Sequence, residues 1–335
     1  MMNYFKAHQL KYPNRKIQDD LKWIFQSIMG CEHFVLDENK SLERIYSEMK
    51  GEYNYHIEKL NDTYVRFHFE NLTQTQAHVL NQLFIASSKV SGLGRDVLKE
   101  TLEKYKNHVK DEDQRFIDEY IASGMPPISH SDYFKSFYHP SYRVLFSHYV
   151  IFFDLLCDIY EKGFKVLAID GRCGSGKSTL GKLLSEIYHC PLISMDEFYL
   201  PQQLRTTERL STPGGNVHYE RFEEEIYLNI LKGEDFKYGL FSHDVMGVGS
   251  YKDVEASSCY VIEGTYAFHP VLRKYSDYKV FLTQNPKSQK KRIIKRNGEE
   301  IWKMFESRWI PLEELYFSSE DLESIANVVI DVSEV

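Results

Sequence analysis

The sequence predicts an α/β protein in which a parallel sheet with helices on both faces follows a mostly α-helical domain. Three observations lead to this prediction. From Lys165 onward, strand-like and helix-like patterns alternate, as they do in parallel sheets. A glycine-rich loop joins the first of these strands to the first helix. Residues 1–140 instead carry their apolar residues mostly at helical spacing. The predicted domains are therefore residues 1–140, of unknown role, and residues 141–335, which contain the loop.

Composition limits the class of protein and its partners. At 335 residues the chain is long for one core, so two domains are expected. The net charge of −8, from 49 acidic and 41 basic residues, gives no overall positive field, and a nucleic-acid partner is not expected. Five scattered cysteines without a C-x-x-C pair favour reduced thiols in the cytoplasm. Residues 1–18 are polar and lack the apolar core of a secretory signal.

The first domain is predicted from the spacing of its apolar residues. This spacing gives helices at residues 17–28, 41–49, 73–87, 98–109 and 116–121. Residues 63–69 alternate like a strand, and residues 124–131 form a loop because they carry glycine and two prolines. Residues 142–160 are predicted to form one long helix that leads into the sheet. Asp154 and Asp158 interrupt this most apolar stretch, so a buried helix explains it better than a membrane span, and no membrane partner is expected.

Two groups of polar residues in this half could supply metal ligands. They are Glu32, His33, Asp37 and Glu38, and further along His130, Asp132 and His139. Histidines beside carboxylates on loops are more often solvated or hydrogen-bonded than metal-bound, so a metal site is the less favoured interpretation.

The glycine-rich loop carries the clearest chemistry. Its residues fit G-x-x-x-x-G-K-S/T, between an apolar strand and a helix, and are Gly171, Arg172, Cys173, Gly174, Ser175, Gly176, Lys177, Ser178 and Thr179. The glycines let the backbone approach an anion closely, and successive N–H groups cradle a phosphate at the helix N-terminus. Lys177 is expected to reach the β- and γ-phosphates, and Ser178 to bind Mg²⁺. The sequence therefore predicts a site for a nucleoside triphosphate.

Two acidic residues follow later strands of the predicted sheet, whose strands are placed at residues 166–169, 192–194, 260–262, 279–282 and 327–330. Ligands of such sheets bind at the carboxyl ends of the strands. Asp196 follows the second strand and is expected to accept the proton of an attacking hydroxyl or to hold Mg²⁺; the alternative is a helix N-cap. Glu263 ends the third strand at the position of a Mg²⁺-binding acid. Neither D-x-x-G nor N-K-x-D follows, which favours ATP over GTP.

A basic helix is predicted from Pro286 to Asn297, where Gly298 ends it. Arg292 and Arg296 are four residues apart and share a face. They are candidates to cover the transferring phosphoryl group, although a solvated basic face explains them equally well. Arg221 and Arg308 are weaker candidates of the same kind.

A long insertion separates the second and third strands. It is predicted to contain a loop at residues 200–216, a helix at residues 219–231 and a hairpin at residues 236–254. An insertion of this size over the carboxyl edge of the sheet is where a kinase would hold its acceptor.

Together these motifs resemble the uridine kinase/phosphoribulokinase family of P-loop small-molecule kinases, from about Lys165 to the end of the chain. The residues that match are Gly171–Ser178, Asp196 with Phe198 and Tyr199, Tyr238, Ser242, His243, Glu263, Gly264, Arg292 and Arg296. The resemblance implies that Asp196 acts at the acceptor hydroxyl, that Tyr199, Tyr238 and His243 contact the acceptor, and that the arginines contact phosphates. Residues 214–219 lack the Asp that binds the ribose diol in uridine kinases, which argues against uridine itself.

The predicted function is an ATP- and Mg²⁺-dependent kinase that phosphorylates a hydroxyl of a small molecule, such as a nucleoside or a related compound. The alternative is a nucleotide-dependent regulator whose N-terminal half binds a macromolecule. The sequence leaves the acceptor and the oligomeric state open, and a homodimer is one option.

Overall fold

The computed structural model describes residues 2–31, 37–52 and 54–334. The chain divides into two compact units, Met1–Glu161 and Lys162–Val335. This division falls later than the predicted boundary at residue 140, because residues 141–161 complete the sheet and the helices of the first unit. Among the helices of the described ranges, none combines the length and the apolar character needed to cross a membrane.

The first unit combines helices with a small antiparallel sheet. Its helices are α1 Met2–Lys11, α2 Ile17–Met29, α3 Glu38–Glu48, α4 Gln74–Ser88, α5 Arg95–Lys106, α6 Asp111–Ala122, α7 Asp132–Tyr138, α8 Ser147–Val150 and α9 Phe153–Lys162. Its strands are β1 Tyr55–Lys59, β2 Tyr64–Phe69 and β3 Tyr142–Phe146, in the order β1-β2-β3. The helices predicted between residues 17 and 121 and the strand at residues 63–69 are confirmed. Gly30 ends α2 with a positive φ of 67°, which explains why the helix stops there.

The prediction of one long helix over residues 142–160 is wrong. Residues Tyr142–Phe146 form β3, which pairs antiparallel with β2, and helix begins only at Ser147. The local spacing of apolar residues fits a helix, but pairing with the fully buried strand β2 satisfies the backbone and covers the side chains of Val144 and Leu145. A non-local contact therefore overrides the local pattern.

Histidines are buried in polar networks of this unit. Glu58 lies 2.9 Å from His8 Nδ1 and 2.7 Å from His68 Nε2, and it also pairs with buried Arg66. His130 lies 2.9 Å from Asp19 through Nδ1 and 2.8 Å from the Tyr142 hydroxyl through Nε2. Burial lowers the pKa of His68 to about 4 and that of His130 to about 3. These imidazoles are therefore neutral in the folded protein at pH 7.

One of the candidate metal ligands, His130, belongs to these hydrogen-bonded networks. His130 uses both ring nitrogens within the protein, and Asp132 pairs with Lys135 at the surface. Within the described ranges, no three His, Cys, Asp or Glu residues are grouped to hold a metal ion. Glu32 and His33 lie outside the described residues.

The second unit is built on a five-stranded parallel sheet. Its strands in chain order are β4 Val166–Gly171, β5 Leu192–Ser194, β8 Tyr260–Glu263, β9 Tyr278–Thr283 and β10 Val328–Asp331, with the hairpin β6 Phe236–Ser242 and β7 Gly247–Val254 inserted after β5. The helices are α10 Lys177–Tyr188, α11 Thr207–Ser211, α12 Tyr219–Phe222, α13 Leu228–Lys232, α14 Pro286–Asn297, α15 Glu299–Met304, α16 Ile310–Ser319 and α17 Leu322–Ile325. Wider π-helical turns, Glu223–Tyr227 and Phe305–Trp309, continue α12 and α15.

The strand order positions the site. The order is β10-β9-β4-β8-β5, with all neighbours parallel, so β4 lies in the centre between β9 and β8. The five predicted strands, the hairpin and the basic helix are confirmed to within two residues at each end. Because parallel strands end at one edge, the loop after β4 lies beside Glu263 at the end of β8 and Ser194 at the end of β5.

Candidate active site

The phosphate-binding loop has the backbone that its sequence predicts. Gly171, Gly174 and Gly176 have φ values of 139°, 75° and 95°. A Cβ at Gly171 would lie 2.1 Å from the carbonyl oxygen of Leu282, so only glycine fits against β9. Lys177 is buried, and its Nζ donates to the carbonyls of Gly171 at 2.7 Å and Arg172 at 3.0 Å. The loop therefore holds the ammonium group across its own opening.

Glu263 joins the loop to the neighbouring strand. Its Oε2 accepts a hydrogen bond from Ser178 Oγ at 3.1 Å, and its Oε1 accepts one from Ser194 Oγ at 2.8 Å. Burial raises the pKa of this carboxyl, against the opposing effects of Ser194 and Lys177. A carboxylate beside a hydroxyl at the phosphate loop provides the oxygen ligands that Mg²⁺ prefers. Ser178 and Glu263 thus fit the predicted metal site.

Asp196 follows β5 in the single turn Met195–Phe198. Its backbone N–H donates to Ser194 Oγ at 3.3 Å, and its Oδ1 accepts from the Tyr199 hydroxyl at 3.2 Å. The Asp196 carboxylate is exposed to solvent. The Tyr199 side chain is more buried, and this burial together with the nearby Asp196 charge raises the pKa of its hydroxyl. A chain of hydrogen bonds therefore leads from Ser178 through Glu263 and Ser194 to Asp196 and Tyr199.

Tyr199 also lines a pocket. The pocket is partly open to solvent, and its lining residues are Tyr199, Arg205, Leu210, Asn216, Arg308, Trp309 and Leu312. An isolated antiparallel bridge between Tyr199 and Val217 positions one wall. The rings of Tyr199 and Trp309 lie 5.7 Å apart at 43°. Asp196 is thus linked by hydrogen bond to the wall of a partly aromatic pocket.

The other two predicted acceptor residues lie in different surroundings. His243 is exposed at the hairpin turn, and its ring centroid is 6.1 Å from that of Tyr199. Tyr238 is only 1% exposed and stacks on Phe198 in the core. The structure therefore brings His243 near Tyr199 but places Tyr238 beneath the surface.

The two arginines predicted to cover the phosphoryl group, Arg292 and Arg296, also lie in different surroundings. Arg292 donates to Gln284 Oε1 at 3.1 Å and to the Val332 carbonyl, and its Cβ lies 3.9 Å from the Cβ position of Gly174. Arg292 thus lies beside the phosphate loop, but its guanidinium group is hydrogen-bonded to Gln284 and Val332, which follow β9 and β10. Arg296 is exposed and donates to Asn297 at 2.6 Å.

The two weaker arginine candidates differ from each other. Arg221 packs on Phe198 and donates to the carbonyls of Glu197 and Gly239, which is a structural role. Arg308 lines the pocket.

Glu313 on α16 is part of the site although no motif indicated it. This carboxylate is 4% exposed and accepts from the Cys173 backbone N–H at 3.0 Å. Thr265 Oγ1 donates to it at 3.3 Å, and burial raises its pKa. Because the donor belongs to the phosphate loop, a phosphate oxygen that takes the Cys173 N–H must displace Glu313. The only sequence signal is a glutamate next to an apolar helical face.

Asp170 is a second residue that the motif did not include. It is fully buried and accepts hydrogen bonds from the backbone N–H groups of Gly171 at 2.6 Å, Phe268 at 2.8 Å and Tyr266 at 3.2 Å. The Tyr316 hydroxyl donates to it at 3.0 Å. Burial raises its pKa to about 6. The sequence does contain a signal for Asp170, because an acidic residue in an otherwise apolar strand is expected to have specific hydrogen-bond donors around it.

Replacing Asp170 by asparagine is expected to lower the free energy of unfolding of the second unit by about 2–4 kcal/mol, because the amide nitrogen cannot accept a hydrogen bond and leaves buried donors unpaired. Denaturant unfolding monitored by circular dichroism measures the change. Asp253→Asn removes an acid that is 77% exposed and serves as the matched control. Equal stability of the two variants would contradict the role given to Asp170.

No family model matches the chain, and no curated protein matches it. Among solved structures, a "possible uridine kinase" from Bacillus stearothermophilus shares 22% identity, over 53% of this chain and 96% of that one, with a TM-score of 0.41. Phosphoribulokinase from Rhodobacter spheroides shares 11%, over 50% and 69%, with a TM-score of 0.36. A gluconokinase from Sinorhizobium meliloti 1021 shares 18%, over 51% and 84%, with a TM-score of 0.31. Each of these three alignments covers about half of this chain.

The second unit has the architecture of the P-loop nucleotide-binding proteins. The features that define this class are the central strand of a parallel sheet, the glycine loop that follows it and the helix that begins after the loop.

Proposed function

We propose that the chain is an ATP- and Mg²⁺-dependent kinase that transfers the γ-phosphoryl group to a hydroxyl of a small molecule. The observation that carries this proposal is the hydrogen-bonded chain from Ser178 through Glu263 and Ser194 to Asp196 and Tyr199. It runs from the phosphate loop to Asp196, whose exposed carboxylate accepts a hydrogen bond from Tyr199 in the wall of the pocket. A site for ATP alone would not require a carboxylate exposed beside a pocket.

The residues divide the reaction between them. The amides of the loop and Lys177 bind the phosphates and stabilise the charge that develops on the γ-phosphoryl oxygens. Ser178 and Glu263 would hold Mg²⁺, which neutralises phosphate charge when bound. Asp196 orients the acceptor hydroxyl and takes its proton as the new oxygen–phosphorus bond forms and the bond to the β-phosphate oxygen breaks, releasing ADP. The Tyr199 hydroxyl holds Asp196 in place.

Five free cysteines among the described residues are compatible with a reducing compartment, and we place the proposed reaction in the cytoplasm. Arg292 and Arg296 remain candidates for closing over the phosphoryl group. Because Arg292 is already held by Gln284 and Val332, its contribution requires that these contacts change when ATP binds.

Asp196→Asn tests the mechanism. We expect kcat to fall by about 10²–10⁴-fold, because the amide cannot take the proton, while the Kd for ATP stays within about twofold. Coupled measurement of ADP release, with a fluorescent ATP analogue for binding, separates the two effects. Asp253→Asn, on the exposed hairpin, is the control. Full phosphotransfer by the Asp196 variant would overturn the assigned role.

A further inference from the structure

The charge of the pocket indicates what kind of acceptor it binds. Arg205 and Arg308 supply two guanidinium groups to its lining, and Asn216 supplies an amide. Tyr199 and Trp309 add aromatic surface, and two leucines complete the wall. Within the described ranges, no carboxylate belongs to this lining. The pocket therefore has positive charge without an internal counter-ion.

Arg205 is held by the protein in a way that leaves part of its guanidinium available. Its Nε donates to the Leu200 carbonyl at 2.7 Å, which fixes the plane of the group. Burial and the neighbouring charge of Arg308 lower its pKa. Arg308 follows the same wall, with its guanidinium carbon 5.4 Å from the Trp309 ring. The two cations are thus near enough to repel each other.

Other arginines of the second unit differ from these two in their partners. Four of them pair with a carboxylate, namely Arg172, Arg209, Arg221 and Arg273. In the part of the chain that the structure describes, neither Arg205 nor Arg308 forms such a pair. Two like charges without a counter-ion are unfavourable, and a bound anion removes the repulsion.

Asn216 adds an independent observation. It is 8% exposed, and its buried Nδ2 has no hydrogen-bond partner of normal length among the described residues. The side chain nevertheless lies near the Tyr266 hydroxyl, where it opposes the burial that raises the pKa of that group. Its backbone carbonyl accepts from Leu200 N–H at 3.1 Å, which fixes the residue in the wall. A buried amide N–H₂ without a partner costs free energy unless a ligand accepts from it.

We infer that the acceptor is a hydroxy compound with an anionic group, either a carboxylate or a phosphate monoester, which Arg205, Arg308 and Asn216 bind. That the bound compound accepts a phosphoryl group rests on the proposed kinase function. That it carries a negative charge rests on the pocket alone. Arginine suits both oxyanions because its planar fork donates two parallel hydrogen bonds. The carbon skeleton then lies along Tyr199 and Trp309, and the hydroxyl to be phosphorylated lies towards Asp196. A neutral nucleoside leaves the charge of both guanidinium groups uncompensated.

The test uses pairs of compounds that differ only in the anionic group. The pairs are glycerate with glycerol, pantothenate with pantothenyl alcohol, and ribose 5-phosphate and ribulose 5-phosphate with the free sugars; uridine and cytidine are added as neutral compounds. Binding is measured by calorimetry on the full chain loaded with Mg²⁺ and a non-hydrolysable ATP analogue, so that the phosphate loop is filled. Turnover is measured separately with ATP.

We expect an anionic member of at least one pair to bind about tenfold or more tightly than its neutral partner. Arg205→Gln should weaken that binding by about tenfold, and Arg205→Lys, which keeps the charge, by less. Lys237→Gln removes a cation that is 68% exposed on the hairpin and should leave the Kd unchanged. The carboxylate and phosphate pairs distinguish the two anions from each other.

The two proposals fail in different ways. If an anionic compound binds through Arg205 but none is phosphorylated while ATP binds, the kinase function is wrong and the anion site stands. If a neutral compound is phosphorylated and its Kd does not respond to Arg205→Gln or Arg308→Gln, the kinase stands and the inference is overturned. If no anionic compound binds the loaded protein more tightly than its neutral partner, the inference is likewise overturned.

Discussion

Replacing Lys177 by alanine is expected to lower acceptor-dependent ATP consumption by about 10³-fold or more, with little loss of stability. In the structure its ammonium group crosses the phosphate loop, held by the carbonyls of Gly171 and Arg172. When ATP occupies the loop, that charge is placed to stabilise the β- and γ-phosphate oxygens as the phosphoryl group leaves. A neutral side chain cannot replace it, and water does so poorly in a buried site.

The control for this experiment is Lys182→Ala, which removes an exposed lysine from the same helix α10. Circular dichroism and thermal unfolding show whether both variants remain folded, and the acceptor is the compound that gives the highest turnover with the unmodified protein. If the Lys177 variant keeps more than about a tenth of the activity, catalysis by charge at the phosphate loop is excluded. If it loses activity and also unfolds, Lys177→Met retains the apolar stem and separates the two causes.

The phosphate loop could be predicted from the sequence because its information is contiguous. Every required residue lies between Gly171 and Thr179, and the flanking strand and helix have patterns that local spacing reveals. Glu263 and Asp196 were found for a similar reason, since each directly follows a buried strand whose end the parallel topology places at one edge.

The pocket could not be predicted in this way. Its residues come from three segments: Tyr199 after the turn of Asp196, the stretch from Arg205 to Asn216, and residues 308–312, where the π-helical turn passes into α16. No local pattern states that these segments meet. Glu313 was missed for the same reason, because its partner Cys173 lies far away in sequence.

The first unit shows where local patterns mislead. Strand β3 has apolar residues at positions that a helix would also use, and β1 is partly exposed with a polar sequence. Both strands owe their conformation to β2, which lies between them and is fully buried. The burial of His68 on β2 follows from that packing and has no signal in the sequence, and that of His130 depends on its non-local partners Asp19 and Tyr142.

Those buried histidines lead to the last prediction, that the first unit loses stability steeply as the pH falls from 7 to 4. In the unfolded chain a histidine takes up a proton near pH 6.5. In the folded protein burial lowers the pKa of His68 to about 4 and that of His130 to about 3, and it also lowers the pKa of His8. Between these values the unfolded chain binds more protons, so the free energy of unfolding decreases as the pH falls.

The expected slope is about 1.4 kcal/mol per pH unit for each histidine, or about 3 kcal/mol per pH unit for His68 and His130 together below pH 6. Asp19, whose pKa is lowered to about 2 mainly by its hydrogen bond from His130 in opposition to burial, adds a loss of the same sign below pH 4. Urea unfolding at pH 7, 6 and 5 measures the slope. Trp302→Phe and Trp309→Phe leave buried Trp23 as the only tryptophan, so its fluorescence reports on the first unit alone.

A variant and a control decide whether the buried imidazoles are responsible. His130→Gln removes one titrating group, so the slope should fall by about 1.4 kcal/mol per pH unit, although stability at pH 7 is lower because Asp19 and Tyr142 lose a partner. His108→Gln, at an exposed position on the surface, should leave the slope unchanged. A slope that is the same in all three proteins would show that the acid sensitivity comes from the carboxylates, and that His130 is protonated in the folded state rather than held neutral by burial.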